Sequence, residues 1–310
     1  SPHQHGGIND QTIRLKISIY LSTDERVKTW PLMANPWPMN FIVAFYFLFV
    51  LKLGPDFMKN RPPYNLDKLI IVYNAIQVVC CSIIFYVGLD AWGIGGKYKW
   101  LCEPVDRSYS EDAITAATYT YYYFLLKLFD LLDTVFFVFR KKNNQITFLH
   151  VYHHTGMVML VWGACGHGTF VGFVNSFVHV VMYSYYLLTV AFPKYKQNIW
   201  WKKYITQIQI FQFLALVIHF MLLVLSDHET CKFPRWSAAV FLPQNFFMLI
   251  LFVDFYIKAY VKKPKAKQDQ SKKDDGKEAL AEQVKEDTNE FQKRSHIDDN
   301  NKESKIKLRS

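Results

Sequence analysis

No glycine-rich phosphate loop, no zinc-type CxxC pair and no internal repeat occurs in these 310 residues. The sequence therefore offers no phosphate-cradling turn, no structural zinc site and no solenoid. Large apolar side chains are nearly missing from residues 261–310, which hold 14 Lys or Arg against 11 Asp or Glu. Such a composition cannot bury enough surface to fold, so 261–310 reads as a disordered, charged tail. No Met opens the chain, and Ser1 reads as a processed or truncated terminus. What remains is rich in hydrocarbon. The whole chain is 51% hydrophobic and 17% aromatic, and its mean hydropathy is near zero only because the tail offsets the rest. Residues 1–260 carry 22 basic side chains against 15 acidic ones. Beside apolar spans, such an excess signals topology or anionic ligands before it signals nucleic acid, which is not an expected partner.

Seven apolar segments reach membrane-spanning length, at 38–53, 69–89, 116–139, 146–163, 170–191, 204–225 and 236–257. The first is short and flanked by Pro, and the preceding DERVKTWPLMANPWP reads as an interfacial lead-in. Loops 1–2, 3–4 and 5–6 hold 11 Lys or Arg, and the opposite short loops hold 5. The positive-inside rule puts the richer loops and the tail in the cytosol and the N-terminus on the other side. The predicted fold is an all-α integral membrane protein. It comprises an N-terminal segment 1–37, a seven-helix domain 38–260 and the cytosolic tail 261–310. Cys102 and Cys231 then fall in the two longer non-cytosolic loops, where a disulfide persists, and a bridge between them is predicted. Cys80, Cys81 and Cys165 fall in or beside spans.

His150, His153 and His154 stand at i, i+3 and i+4 in a stretch, 146–163, that carries no charged residue. On a helix the three rings share one face. Imidazole in hydrocarbon is costly, so a cluster facing a cavity is a functional candidate. At about 1.5 Å per residue from the cytosolic ends, His150 and His153 lie roughly 8 and 12 Å deep. Asp133, Asp130 and Lys127 lie roughly 10, 15 and 20 Å deep, and His179 roughly 18 Å. Thr206, Gln209 and Gln212 follow at roughly 5, 9 and 14 Å. Four spans thus converge on a polar cavity open to the cytosol, with basic residues at its mouth. Lys127–Asp130 also reads as a plain intramembrane ion pair, and His219, far from the mouth, as a packing histidine.

Three chemistries compete. HxxHH resembles the histidine boxes of membrane di-iron oxidases, but those need about eight ligands, and only four imidazoles share a depth here. A seven-span receptor has this topology but no need of converging Lys, Asp and His. The third is nucleophilic catalysis, in which an imidazole takes an acyl group from a thioester while neighbouring histidines move the proton. A coenzyme A thioester suits the geometry, with its phosphates on Lys and Arg at the mouth and its chain in the interior.

KLFDLLDT (127–134), HVYHH (150–154), HVVMYSYY (179–186) and TQIQIFQ (206–212) resemble, in order, four signatures of the very-long-chain fatty acid elongases. The likeness covers about 25–265 and excludes the tail. It implies a seven-span endoplasmic reticulum enzyme, six of its helices forming an inverted barrel around a substrate tunnel. The implied reaction joins long-chain acyl-CoA to malonyl-CoA, giving 3-oxoacyl-CoA, CO2 and CoA with no cofactor. By motif position, His153 is the implied nucleophile and His179 the second catalytic histidine, while His150 and His154 tune the site. The CoA arm is expected against Lys127, Arg140, Lys142, Gln145, Tyr185, Lys202, Thr206 and Gln209. The family's disulfide matches Cys102–Cys231. Self-association and contact with other elongation-cycle enzymes are compatible with this reading. Asp130 stands where the family pattern has Glu, and the final KIKLRS lacks the dilysine spacing of many relatives.

Overall fold

The computed structural model describes residues 24–262, apart from 94, 101, 164–168, 198, 227–230, 232 and 234. The expectations for the tail, the first residues and Cys165 fall outside the described residues. Within them, helix is the only regular structure. Helix α1 (Trp37–Leu48) continues through a π-helical turn at Phe49–Leu53 into α2 (Gly54–Met58). That continuation carries the Pro-flanked first span past its predicted end. A Cβ on Gly54 would lie 2.6 Å from Val138 Cγ1, so only glycine allows this close crossing. There follow α3 (Asp67–Trp92), α4 (Glu111–Asp130), α5 (Leu132–Phe139) and α6 (Phe148–Gly163). The last three are α7 (Thr169–Ala191), α8 (Ile199–Leu225) and α9 (Arg235–Tyr256). Ser110 caps α4 by accepting from the Ala113 amide at 3.3 Å, with Glu111 and Asp112 in the first turn, where acids favour a helix start.

Among the described residues, five stretches are long and apolar enough to cross a bilayer: Trp37–Met58, Asp67–Trp92, Thr169–Ala191, Trp201–Leu225 and Ser237–Val261. The other two predicted spans are where the polar groups concentrate. Residues 111–139 carry Lys127, Asp130 and Asp133 and are interrupted at Leu131, whose amide reaches back only three residues, to the Leu128 carbonyl. Helix α6 has 16 residues. Many outward positions are apolar, with Phe41, Tyr86 and Phe211 more than two-thirds exposed. Such faces belong against lipid, where apolar exposure carries no penalty.

Neighbouring helices join in a cycle. Helix α3 runs along α7, Phe85 stacking on Phe173 at 5.3 Å and Gly88 leaving no room for a Cβ beside the same ring. Helix α7 meets α8, and α8 meets α9 through Phe220–Phe241 and Phe213–Phe252, both at 5.0 Å. Helix α9 meets α6 where Tyr152 donates to Gln244 Oε1 at 2.7 Å. Helix α6 packs on α4, and α4 returns to α3 through Gln77–Asp130. The segment before α1 is docked rather than free. Val27 and Met33 are fully buried, Arg26 donates to the Ser108 carbonyl, and Trp162 Nε1 donates at 2.9 Å to the carbonyl of Leu32. Leu32 itself adopts φ +67°, a backbone conformation rare for a bulky residue. Cys102 and Cys231 are joined, with Cα atoms 5.8 Å apart and a sequence separation of 129. Cys80 and Cys81 are free thiols.

Candidate active site

Helical periodicity builds the site. Tyr123, Lys127, Asp130 and Thr134 recur on one face of the interrupted helix α4–α5, and Asn175, His179 and Tyr183 on one face of α7. Where the two faces meet, Lys127 Nζ donates to Asp130 Oδ2 at 2.7 Å and to Asn175 Oδ1 at 3.1 Å, and lies 3.3 Å from His179 Nδ1. Lysine ammonium has three donors and no acceptor, so His179 Nδ1 must accept. The hydrogen of the neutral ring is thereby assigned to Nε2. All three donors of Lys127 are used, and the side chain is 2% exposed. Lys127 was expected against the CoA arm; here its three donors all face protein groups.

The rest of this network adds residues of the same two helices and of α3, which carries no signature. Gln77 of α3 donates to Asp130 Oδ1 at 2.6 Å and to Tyr73 Oη at 3.0 Å. Tyr183 donates to Asp133 Oδ2 at 2.7 Å, and Tyr123 to Asn175 Oδ1 at 2.7 Å. Asp130 thus serves three elements at once, its ion pair with Lys127 spanning only three residues. Sequence reasoning missed Gln77 and Asn175. The available signal was an amide inside an otherwise apolar span, the same signal that did mark Gln209 and Gln212.

A second set lies along α6. His150 Nε2 and Thr134 Oγ1 are 3.0 Å apart, and Thr134 Oγ1 lies 2.6 Å from Tyr46 Oη of α1. His150 and His154 rings are 4.3 Å apart, and His154 and His153 rings 5.5 Å. His153 stands at the end of this row against the edges of Phe213 and Phe252, at 6.0 and 6.1 Å. Its Nδ1 is buried and has no hydrogen-bond partner among the described residues. His150 is oriented by the Thr134 hydroxyl, whereas His153 combines an apolar wall with a buried nitrogen that none of the described residues uses. Among the described residues, no three His, Cys, Asp or Glu side chains are arranged to hold a metal ion.

The expected CoA residues divide by exposure. Arg140 closes α5 and pairs with Asp67 at 3.0 Å, while Lys142 and Gln145 are exposed in the turn that follows. Lys202 is exposed near the start of α8, one turn before buried Thr206, whose hydroxyl donates to its carbonyl at 3.0 Å. Tyr185 is buried, and Gln209 reaches Met182 Sδ at 3.6 Å. His219 sits away from both networks, stacked on Phe170 at 4.1 Å and edge-on to Trp92.

Comparison with known proteins is consistent over most of the chain. The profile of the ELO family, described as GNS1/SUR4, matches residues 31–268. The chain is 40% identical over 250 residues to very long chain fatty acid elongase 4 of Homo sapiens, covering 78% of each sequence. It is 40% identical over 247 residues to very long chain fatty acid elongase 7 of Drosophila melanogaster, covering 78% of this chain and 74% of that one. Very long chain fatty acid elongase 2 of Mus musculus is 40% identical over 258 residues, with 80% and 85% covered.

Proposed function

Because this chain belongs to the ELO family of fatty acid elongases, we propose that it catalyses the condensation of elongation: acyl-CoA plus malonyl-CoA to 3-oxoacyl-CoA, CO2 and CoA. The carrying observation is His153, a half-buried imidazole whose buried Nδ1 has no hydrogen-bond partner among the described residues, set against apolar walls beside two further histidines. A buried nitrogen that none of the described residues satisfies is costly to keep and suited to an electrophile. In the proposed first step a His153 nitrogen attacks the thioester carbon. The C–N bond forms and the C–S bond breaks. The ring's proton passes through the neighbouring histidines to the departing CoA thiolate. In the second step malonyl-CoA loses CO2, and the electron pair of the broken C–C bond becomes an enolate. The enolate attacks the acyl carbon, a new C–C bond forms, the C–N bond breaks, and the ring takes up a proton from water through the neighbouring histidines.

His179 takes the complementary role. With Nδ1 accepting from Lys127, its Nε2–H is a donor held in place for the thioester oxygen on which the enolate charge develops. Lys127 is therefore a positioning residue for His179, and Arg140, Lys142, Gln145 and Lys202 remain the residues for the CoA arm. The architecture proposed with this reaction is seven spans in the endoplasmic reticulum membrane, N-terminus lumenal and C-terminus cytosolic. The six cyclically joined helices would form an inverted barrel around the acyl tunnel.

A single-turnover experiment tests the reading. Purified protein is given a long-chain acyl-CoA without malonyl-CoA, and mass spectrometry follows free CoA and acylated peptides. Release of CoA with an adduct on His153, discharged by malonyl-CoA to 3-oxoacyl-CoA, is the expected result. Normal condensation with no adduct would replace the two-step route by direct transfer. Absence of both would remove the function.

A further inference from the structure

Two adjoining cavities lie on the disulfide side of the α3–α4 seam, away from the histidine row. Helices α3 and α4 are tied together at Gln77–Asp130 and Tyr73–Phe129. Toward Trp92 and Glu111 a slit opens between them, walled by Ile84, Gly88 and Tyr119 and floored by Gly172 and Tyr123. Ile83, Tyr86, Ile114 and Tyr122 of the same helices are exposed around it, so the slit opens in a wall that meets lipid. Beyond it, under the 97–110 loop, lies a chamber of about 220 Å³ lined by Arg26, Lys97, Glu103, Asp106 and Asp112. One water needs roughly 10–15 Å³ of such space, so the chamber suits a much larger polar group.

Trp92 lines both cavities. It is 3% exposed, and its indole Nε1 has no hydrogen-bond partner among the described residues. A buried donor of that kind calls for an acceptor from a ligand. The charges around it are already sorted. Arg26 is bonded to Asp24 and to the Ser108 carbonyl, and Lys97 bridges Asp90 and Asp112 at 2.9 and 3.0 Å. Glu103 and Asp106 add negative charge, and the Trp92 and Tyr98 rings stand edge to face at 5.2 Å. Acidic excess beside aromatic faces suits an ammonium group.

We propose that the chamber and slit together bind one zwitterionic glycerophospholipid of the bilayer. Its ammonium group lies among Glu103, Asp106 and Tyr98, an ester or phosphate oxygen accepts from Trp92 Nε1, and one acyl chain fills the slit. The chain ends on Tyr123, whose hydroxyl bonds Asn175, the residue that also receives Lys127. A bound lipid thus closes the membrane side of the polar network; of the histidines, His219 lines the chamber, while His150, His153, His154 and His179 line neither cavity. The inference stands on the cavities and does not require the condensation reading.

Native mass spectrometry tests it, with the detergent-purified full chain offered equal amounts of dioleoyl phosphatidylcholine and dioleoyl phosphatidylglycerol. One retained phosphatidylcholine, preferred by about tenfold, is expected. Ala116→Leu, which fills the junction of the two cavities, should lose it, and Trp92→Phe, which keeps the ring but not the N–H, should reduce it severalfold. Should Ala116→Leu fail to fold, the Trp92→Phe result decides. Equal retention of both lipids, or retention unchanged in both variants, would reduce the site to general lipid contact and overturn the proposal. So would displacement of phosphatidylcholine by long-chain acyl-CoA, which would assign the slit to the substrate chain.

Discussion

His153 is expected to be indispensable and structurally expendable, because no polar group of the described protein depends on its Nδ1. His153→Ala should abolish 3-oxoacyl-CoA formation while leaving thermal stability and acyl-CoA binding close to wild type. A folded variant with full activity would remove the nucleophile assignment. Asp130 should behave in the opposite way. Asp130→Asn leaves the buried Lys127 ammonium without its counter-charge, a loss on the order of 3–5 kcal/mol. The pair replacement Lys127→Met with Asp130→Leu should recover most of that stability and none of the activity, as read by thermal melting beside a condensation assay. The histidine spacing was legible because a helix places i, i+3 and i+4 on one face whatever surrounds it. The partners of Lys127 were not, because Asn175 and Gln77 arrive from helices far away in sequence, and proximity of that kind follows from packing rather than spacing.

At the level of helices, the exposed ends of α5 and α8 carry the residues proposed for the CoA arm. Arg140→Gln or Lys202→Gln should raise KM for acyl-CoA several-fold and change kcat little, since contacts remote from the reacting carbon serve ground and transition states alike. An unchanged KM would take those positions out of the arm. The segment before α1 supplies a pH-dependent feature. Burial pushes the Asp24 carboxyl upward, but its hydrogen bonds to Arg26 and the guanidinium charge outweigh this, leaving it below the usual carboxylate range. A depressed folded value contributes stability above the unfolded value and loses it as pH falls through the folded one. The segment 24–36 should therefore stay docked at neutral pH and release only below about pH 4. Asp24→Asn should mimic that release at pH 7, read by hydrogen exchange. The lead-in was visible in sequence as Trp and Pro ahead of a span. Its docking on Trp162 and Ser108 was hidden, because it rests on carbonyl groups that every residue possesses.

For the whole molecule, hydropathy made the helical, membrane-crossing character legible, and the disulfide expected between Cys102 and Cys231 is present. The interruption at Leu131 did not show, since neither Gly nor Pro marks it and the run of apolar residues passes through unbroken. The proposed orientation is open to direct test. A glycosylation acceptor engineered ahead of residue 24 should be modified in microsomes, and one placed after residue 268 should not. Modification at the far end would invert the topology. The interrupted helix has one more consequence. Lys127, which holds His179, and Thr134, which holds His150, belong to a single stretch of chain. Their separation is therefore set by seven residues of one nearly continuous helix, at about 10 Å along the axis. Surrounding helices can tilt to fit bilayers of different thickness, or drift apart over evolutionary time, while the two anchoring groups keep their mutual register. The interior can be remodelled for other chains around an invariant ruler.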